Sequence, residues 1–505
     1  MSPTNAAAPR TINALAAFEQ SGEVKPWQYQ SRPLGAEDVE IQISHCGICG
    51  SDIHTLDCGW GPTAFPCVVG HEIVGVVTAA GPDVKDLAVG DRVGVGAQAW
   101  ACLNKDKERP CAECASSAES YCSRGVWTYN AKYEDGASTY GGYADYIRVL
   151  ADCAFKIPDN IPSDAAAPLL CAGATVFSPL KKHNVKPGDR VGVIGIGGLG
   201  HIAIQFIRAL GATPIAFSRS ASKEQEIRGL GAEEFYNLSD PEHAQKAVGS
   251  VNVLLITADA TNMPYNTYLT LLRTGGTVVM LGVPNDNVTF SPFSLLAKGI
   301  NFTGSVIGSI QDIKDMLKVA SEKNVRPIIQ KVPMAKANEG IQMVRKGSVR
   351  YRVFIRALGA TPIAFSRSAS KEQEIRGLGA EEFYNLSDPE HAQKAVGSVN
   401  VLLITADATN MPYNTYLTLL RTGGTVVMLG VPNDNVTFSP FSLLAKGINF
   451  TGSVIGSIQD IKDMLKVASE KNVRPIIQKV PMAKANEGIQ MVRKGSVRYR
   501  VVLEN

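Results

Sequence analysis

The stretch RVGVIGIGGLGHIAIQFIRALGA, residues 190–212, decides the fold. It opens with a short run of strand-forming residues, passes through Gly195, Gly197 and Gly200 in G-x-G-x-x-G spacing, with Gly198 and Leu199 completing the loop, and continues as a helix. Glycine-rich turns are common, so the spacing alone carries little. A strand before it and a helix after it are the context that gives it meaning. Glycine lets the backbone approach a pyrophosphate closely, and the N-terminus of the following helix stabilises the negative charge.

Working outward, the same alternation continues: PIAFSRS, VNVLLITAD and GTVVMLGVP read as strands between helical segments. Alternating strands and helices imply a parallel, doubly wound sheet. Residues 37–150 are a different text, rich in Gly and Val with short runs such as EIQI and HEIVGVVTAAG, and predict a β-rich domain. Residues 309–347 read as helical and mixed, followed by a short strand in SVRYRV.

A site for NAD places an acid about 20 residues beyond the glycine loop. Here that region reads AFSRSASK, with no acid before Glu224. Ser218, Arg219 and Lys223 supply hydroxyl and cationic donors suited to a 2′-phosphate, so NADP(H) is favoured over NAD(H). The alternative is an ordinary solvated basic turn.

Residues 206–353 recur letter for letter as 354–501, an offset of 148. The unit is far longer than a solenoid repeat and reads as a duplicated piece of a domain. Without one copy, the chain has the length of about two domains. Copies this similar have not diverged, as after a recent tandem duplication or an error in gene assembly. The second copy lacks the glycine-loop strand, and in a sheet of order 3-2-1-4-5-6 that removes the central member and leaves two unpaired edges. Such a fragment is expected to exchange with its twin or aggregate. Two arrangements are open: residues 1–353 form the working unit, or residues 1–205 join 354–505. The first is favoured because it keeps HIAIQFIRAL unbroken at Gln205–Phe206, with Phe354 and Ile355 standing where the terminus has Val502 and Leu503.

Lys and Arg number 50 against 47 Asp and Glu, so charge predicts neither nucleic acid nor an anionic membrane as partner. No apolar run approaches a membrane span, and the first residues carry no compact signal core behind a basic region, which leaves the cytoplasm as the expected location. All 10 cysteines lie between Cys46 and Cys171, none in the repeated unit. Clustered cysteines without a secretory signal suggest metal more than disulfides. Cys46 and Cys49 form C-x-x-C with His54 close by, GHEIVG supplies His71 and Glu72, and LLCAGATVFSPL supplies Cys171. A Cys, a His and a second Cys suit a catalytic zinc with one open position. Cys102, Cys111, Cys114 and Cys122 have the makings of a closed structural zinc site on a polar loop.

Together, CGICGSDIH, GHEIVG, the cysteine quartet, LLCAGATVFSPL and GIGGLGH resemble the zinc-dependent medium-chain alcohol dehydrogenases, most closely the cinnamyl-alcohol-dehydrogenase type with its fungal NADP-dependent members. The resemblance implies an α/β protein. A GroES-like catalytic domain would span 1–170, completed by 308–353, with a Rossmann NADP-binding domain over 171–307. Residues 354–501 would be a partial repeat and 502–505 a tail. It implies Cys49, His71 and Cys171 as catalytic zinc ligands, with Glu72 and Asp52 supporting them. Ser51 and His54 match a proton relay, Thr175 a neighbour of the nicotinamide, and Trp60 and Trp127 an aromatic substrate pocket. The family usually has two residues between its first two structural cysteines, whereas here NKDKER widens the gap between Cys102 and Cys111. The expected cofactors are two zinc ions per chain and NADP(H). The expected reaction is hydride exchange with aromatic or medium-chain primary alcohols and aldehydes, in a homodimer that the repeated segment perturbs. A zinc polyol dehydrogenase is the alternative within the class, and a non-catalytic or misfolded product the alternative outside it.

Overall fold

The strand predicted ahead of the glycine loop forms over Arg190–Ile194 and is central to a parallel sheet. On one side lie Thr213–Ser218 and Glu234–Asn237; on the other, Val251–Ile256, Leu272–Met280 and Asn301–Gly304. The order is 3-2-1-4-5-6, as expected of a doubly wound sheet. All five of these accompanying strands, two of them directly paired with the glycine-loop strand, come from the first copy. The structure, a computed structural model, describes residues 8–284, 286–329, 334, 337–345, 363–366, 382–404, 410–429, 432, 434–452, 477–481 and 500–504. The SVRYRV strand, the Phe354–Ile355 junction, and Arg367 and Lys371, the second copies of Arg219 and Lys223, lie outside the described residues.

Helix Gly200–Ala209 runs unbroken through Gln205–Phe206 and buries Ile202, Ala203, Ile204, Phe206 and Ile207. These side chains meet Val191, Val193, Val253 and Leu255 from the sheet face below. Phe206 packs edge-on against Phe177 of helix Ala174–Lys182, ring centroids 5.4 Å apart. That helix in turn packs on Ile310–Glu322, whose N-terminus is closed by a reciprocal cap between Ser309 and Asp312. Asp312 also accepts from Ser178 and Lys181, both at 2.7 Å, tying the two helices together.

The β-rich text folds as an antiparallel sheet in the order Tyr146–Leu150, Asp38–Cys46, Ile73–Ala80, Arg92–Val95, Ala154–Lys156. Alternation sends Val39, Ile41, Ile73, Val93, Val95, Ile147 and Val149 into one core. Helix Ala337–Arg345 from the end of the first copy returns to this part of the chain. Ala337 and Ile341 join the cluster around Leu56 and Val68. Asn338 pairs with both backbone polar groups of Val24, at 2.9 and 3.0 Å, and Arg345 pairs with Asp57.

The second copy does not repeat this architecture. Strands Ile363–Ser366 and Glu382–Asn385 pair as a separate two-stranded sheet. Val399–Ile404, Leu420–Met428 and Asn449–Gly452 instead extend the main sheet to nine strands, joining it through Asn449–Gly452 antiparallel to Asn301–Gly304. Loss of the central strand therefore divides the copy where the sequence reading placed its two unpaired edges. The expectation that it would exchange with its twin or aggregate is met by a third outcome: the twins pair edge to edge. Residues 453–505 form a second compact unit, within which Ile477–Pro481 and Arg500–Glu504 pair in parallel. Among the described residues, no helix is long and apolar enough to cross a membrane.

Candidate active site

Helix Gly50–Leu56 positions the first group. Its N-cap is Cys49, whose sulfur accepts from the Ser51 backbone N–H at 3.4 Å, while the Cys49 N–H donates to Asp52 at 2.8 Å. Asp52 is fully buried, accepts from the Gly70 N–H at 3.1 Å and lies 3.5 Å from His71 Nδ1. One carboxylate thus fixes the Cys49 turn against the GHE turn. His71 Nε2 lies 3.0 Å from Cys171 Sγ. Cys171 sits in Leu169–Gly173, a wide π-type turn between helices Ser163–Pro168 and Ala174–Lys182, a distortion often found at functional sites. Donor atoms of Cys49, His71, Glu72 and Cys171 all fall within 4.8 Å of one another. Cys46 is outside that group, and burial pushes its thiol well above the usual range.

The electrostatics of this group suit a cation. Burial works against a charged His71, yet negative charge at Cys49 and Asp52 overrides it and lifts the imidazole to about 10. A buried pocket that favours positive charge, built from two thiols and an imidazole, fits a borderline-soft dication.

The quartet fits a second one. Cys102 lies 3.5 Å from Cys114 and 3.6 Å from Cys122, and Cys111 lies 3.9 Å from Cys122, sulfur to sulfur. Tetrahedral zinc with bonds of about 2.3 Å separates its sulfurs by about 3.8 Å. Against burial, hydrogen bonds from the Asn104 backbone and neighbouring thiols lower Cys102 to about 7, whereas burial lifts Cys111 to about 11 and Cys114 further. A dication bound among these sulfurs would displace the remaining thiol protons, since thiolate is the ligand form. The NKDKER widening does not separate Cys102 from its partners. Leu103 and Asn104 turn the chain at φ 47° and 56°, and Asn104 Oδ1 accepts from the Cys111 N–H at 3.0 Å. The flap is tied to the rest of the chain by Lys105 to Glu37 and Asp152 and by Arg109 to Glu134, while Arg109 to Asp106 closes it on itself.

Ser51 and His54 are one turn apart on the same helix, so they share a face. The Ser51 hydroxyl lies 3.4 Å from the Cys49 sulfur. Burial holds His54 below its ordinary value, and its ring stacks on Trp60 at 4.5 Å and 13°. Trp60 and Trp127 are 41% and 43% exposed, so both leave large apolar rings uncovered. Trp127 lies on strand Val126–Trp127, paired with Gln98–Trp100. Thr175 is fully buried one turn beyond Cys171, and its hydroxyl donates to the Cys171 carbonyl.

In the glycine loop the three glycines are needed for different reasons. Gly195 has φ +87°, and a Cβ there would meet Ala258 at 2.7 Å. A Cβ at Gly200 would lie 2.5 Å from the Gly195 carbonyl. At Gly197 it would meet nothing within 4 Å, leaving that flank of the loop open for a ligand's approach. Gly198 and Leu199 carry the chain into helix Gly200–Ala209. Ser218 ends strand Thr213–Ser218, followed by exposed Arg219 and Lys223, and neither cation is paired with an acid among the described residues.

Two contributors escaped the sequence reading. Tyr129 is buried with its hydroxyl 3.0 Å from His71 Nδ1, although 58 positions separate them. Asp259, just past strand Val251–Ile256, favours the charged form of His54. Tyr129 lies in no motif, and Asp259 is the last letter of VNVLLITAD, which reads only as a strand.

Comparison with known proteins identifies the family. Residues 35–159 match the alcohol dehydrogenase GroES-like domain, and the zinc-binding dehydrogenase model matches twice, over 198–322 and 354–470. The chain is 42% identical over 347 residues to NADP-dependent alcohol dehydrogenase C 1 of Mycolicibacterium smegmatis, covering 68% of this chain and 97% of that one. It is 40% identical over 349 residues to a probable mannitol dehydrogenase of Mesembryanthemum crystallinum, covering 69% and 95%. Among solved structures, a cinnamyl alcohol dehydrogenase of Sorghum bicolor superposes with a TM-score of 0.65 at 35% identity, covering 68% of this chain and 96% of that one.

Proposed function

The chain belongs to the zinc-dependent medium-chain alcohol dehydrogenases of the cinnamyl-alcohol-dehydrogenase type, and from that premise we propose that it interconverts aromatic, cinnamyl-type or medium-chain primary alcohols and their aldehydes with NADP(H), using two zinc ions per chain. The observation that carries this reading is the convergence of Cys49, His71 and Cys171 at the foot of the helix bearing Ser51 and His54, on which Trp60 stacks.

Cys49, His71 and Cys171 would hold the catalytic zinc, with Glu72 buried beside them; Cys102, Cys111, Cys114 and Cys122 would hold the structural one. When bound, zinc supplies a Lewis acid for the substrate oxygen and the nicotinamide supplies or accepts hydride. The chain's own residues do the remainder. Asp52 and Tyr129 orient His71. The Ser51 hydroxyl stands beside the ligand sulfur, and His54, whose charged form burial disfavours, takes or returns the proton from that direction. Trp60 and Trp127 offer flat apolar faces to an aromatic or extended chain. Gly195 to Gly200 would hold the pyrophosphate of NADP(H), Thr175 would stand on the nicotinamide side, and Ser218, Arg219 and Lys223 would take the 2′-phosphate. In domain terms, residues 1–170 with 308–353 are the catalytic part, 171–307 the coenzyme part, and the enzyme works in the cytoplasm.

The test is reduction of cinnamaldehyde or a medium-chain aldehyde by NADPH, followed through loss of reduced nicotinamide, with metal analysis expected to give two zinc per chain. Cys49→Ala or His71→Ala is expected to abolish turnover while NADPH still quenches tryptophan fluorescence. Full activity in either variant would sink the assignment. The polyol reading, supported by the mannitol dehydrogenase relative, requires oxidation of mannitol or sorbitol with NADP⁺ to exceed oxidation of cinnamyl alcohol. No turnover with either class favours the non-catalytic reading.

A further inference from the structure

The contact between the two copies is two-fold symmetric. With the copies offset by 148 positions, residue 302 of the first is residue 450 of the second. Across the antiparallel seam Asn301 pairs with Thr451, Phe302 with Phe450 and Thr303 with Asn449. Each partner is the twin of the residue on the other side of the axis. Strand Val288–Phe290 meets Val436–Phe438 in the same way: Val288 opposite Phe438, Thr289 opposite its own twin Thr437, Phe290 opposite Val436. The aromatic rings obey the axis too. Phe290 and its twin Phe438 meet at 5.8 Å, while Phe290–Phe450 at 6.0 Å and Phe302–Phe438 at 6.3 Å are twin contacts. All four rings are fully buried.

Such a face is isologous: residue i contacts j, and j's equivalent contacts i. It is complementary to itself, so its natural occupant is a second copy of the same segment. We propose that residues 382–452 act as a built-in second subunit, occupying this face from within the chain so that the protein stands alone where single-copy chains would pair. Tethering makes the partner's effective concentration of order mM, far above any intermolecular competitor at working concentrations. The homodimer expected from the sequence thereby becomes a pairing inside one chain.

Disulfide trapping in the full-length protein tests this. Thr289 and Thr437 stand directly opposed, hydroxyl oxygens 3.3 Å apart, and directly opposed residues of an antiparallel pair have a Cα spacing, about 4.5–5.5 Å, that a disulfide accepts. In Thr289→Cys/Thr437→Cys, mild oxidation is expected to give a 289–437 bond, identified by peptide mass, in a species that runs as one chain on a non-reducing gel. Thr289→Cys alone is expected to give no 289–289 bond between chains, because that place is taken. A bond between chains at these positions in either variant, or no 289–437 bond in the double variant, overturns the proposal.

Gly452 provides the converse test. A Cβ there would lie 2.9 Å from the Leu296 nitrogen and 3.0 Å from the Leu295 carbonyl carbon, so a side chain collides with the first copy's backbone. Adding Gly452→Val to Thr289→Cys is expected to free the first copy's face, giving 289–289 bonds between chains and twice the mass in light scattering. A Gly452→Val protein that remains a single chain with no such bond means that the face is not self-complementary, and the proposal fails.

Discussion

Leu255 and Leu403 are the same letter in the same text, yet the first is 0% exposed and the second 56%. Leu281 and Leu429 repeat the contrast, at 3% and 41%. Leu254 and its twin Leu402 do not, at 0% and 8%. The pattern follows from the pleat: adjacent strand residues face opposite sides of the sheet. One side is the core shared by both copies, holding Leu254, Ile256, Val278 and Met280 with Leu402, Ile404, Val426 and Met428. The other side, in the first copy, is covered by helix Gly200–Ala209, and the adjacent edge is paired with Arg190–Ile194. Both coverings begin before residue 206, where the repeat starts. Burial here is set by what precedes the segment, not by the segment.

The largest effect should therefore come from changing one letter twice. Leu255→Ala is expected to cost about 2–5 kcal/mol through lost burial and the cavity left behind, whereas Leu403→Ala is expected to fall within about 0.5 kcal/mol, as exposed substitutions do. Chemical denaturation of the two variants side by side measures both. Equal losses would mean that the second copy's outer face is covered after all, and the contrast between the copies would collapse.

Coenzyme binding tests the same contrast at its chemical end. Arg219 follows strand Thr213–Ser218, whose neighbour is the glycine-loop strand. Its twin Arg367 follows Ile363–Ser366, which among the described residues pairs only with Glu382–Asn385. Removing a charge-assisted contact costs about 1.5–3 kcal/mol, or roughly 10–100-fold in affinity. Arg219→Ala is expected to weaken NADPH binding by that factor while sparing NADH, and Arg367→Ala to change neither, as read by fluorescence titration. A matching loss in Arg367→Ala would give the second copy a coenzyme site of its own.

What was legible in the sequence was whatever lies close along the chain. The glycine loop declares itself within a dozen residues because strand, turn and helix must be consecutive to work, and the cysteine quartet because one loop carries all four thiols. The separation of Ile363–Ser366 from Val399–Ile404 was legible by subtraction, since the missing central strand could be named. The seam was not. Nothing in NFTG or VTF distinguishes an edge that meets solvent from one that meets its own twin; that depends on a symmetry axis, which no local period encodes. Tyr129 was hidden for a related reason: its tie to His71 spans 58 positions and one hydroxyl.

That hydroxyl is where the smallest effect is expected, and it bears on the half of the molecule that the second copy lacks altogether. Among the described residues, the ligands of both candidate metal sites lie before residue 206, outside the repeated segment. What can tune them are groups such as Tyr129, whose hydroxyl sits 3.0 Å from His71 Nδ1 while Asp52 lies at 3.5 Å. Groups that orient a metal-binding imidazole through its far nitrogen typically change metal affinity about 10–100-fold when removed. Because Asp52 still faces the ring, Tyr129→Phe should show only the lower end, about tenfold faster loss of the catalytic zinc to a chelator. Zinc in the Cys102 quartet should leave at its original rate, since Tyr129 is no part of that cluster, and the difference between the two release phases measures the effect within one sample. If both phases accelerate together, Tyr129 acts by holding up the fold, and its role as a positioning group for His71 falls.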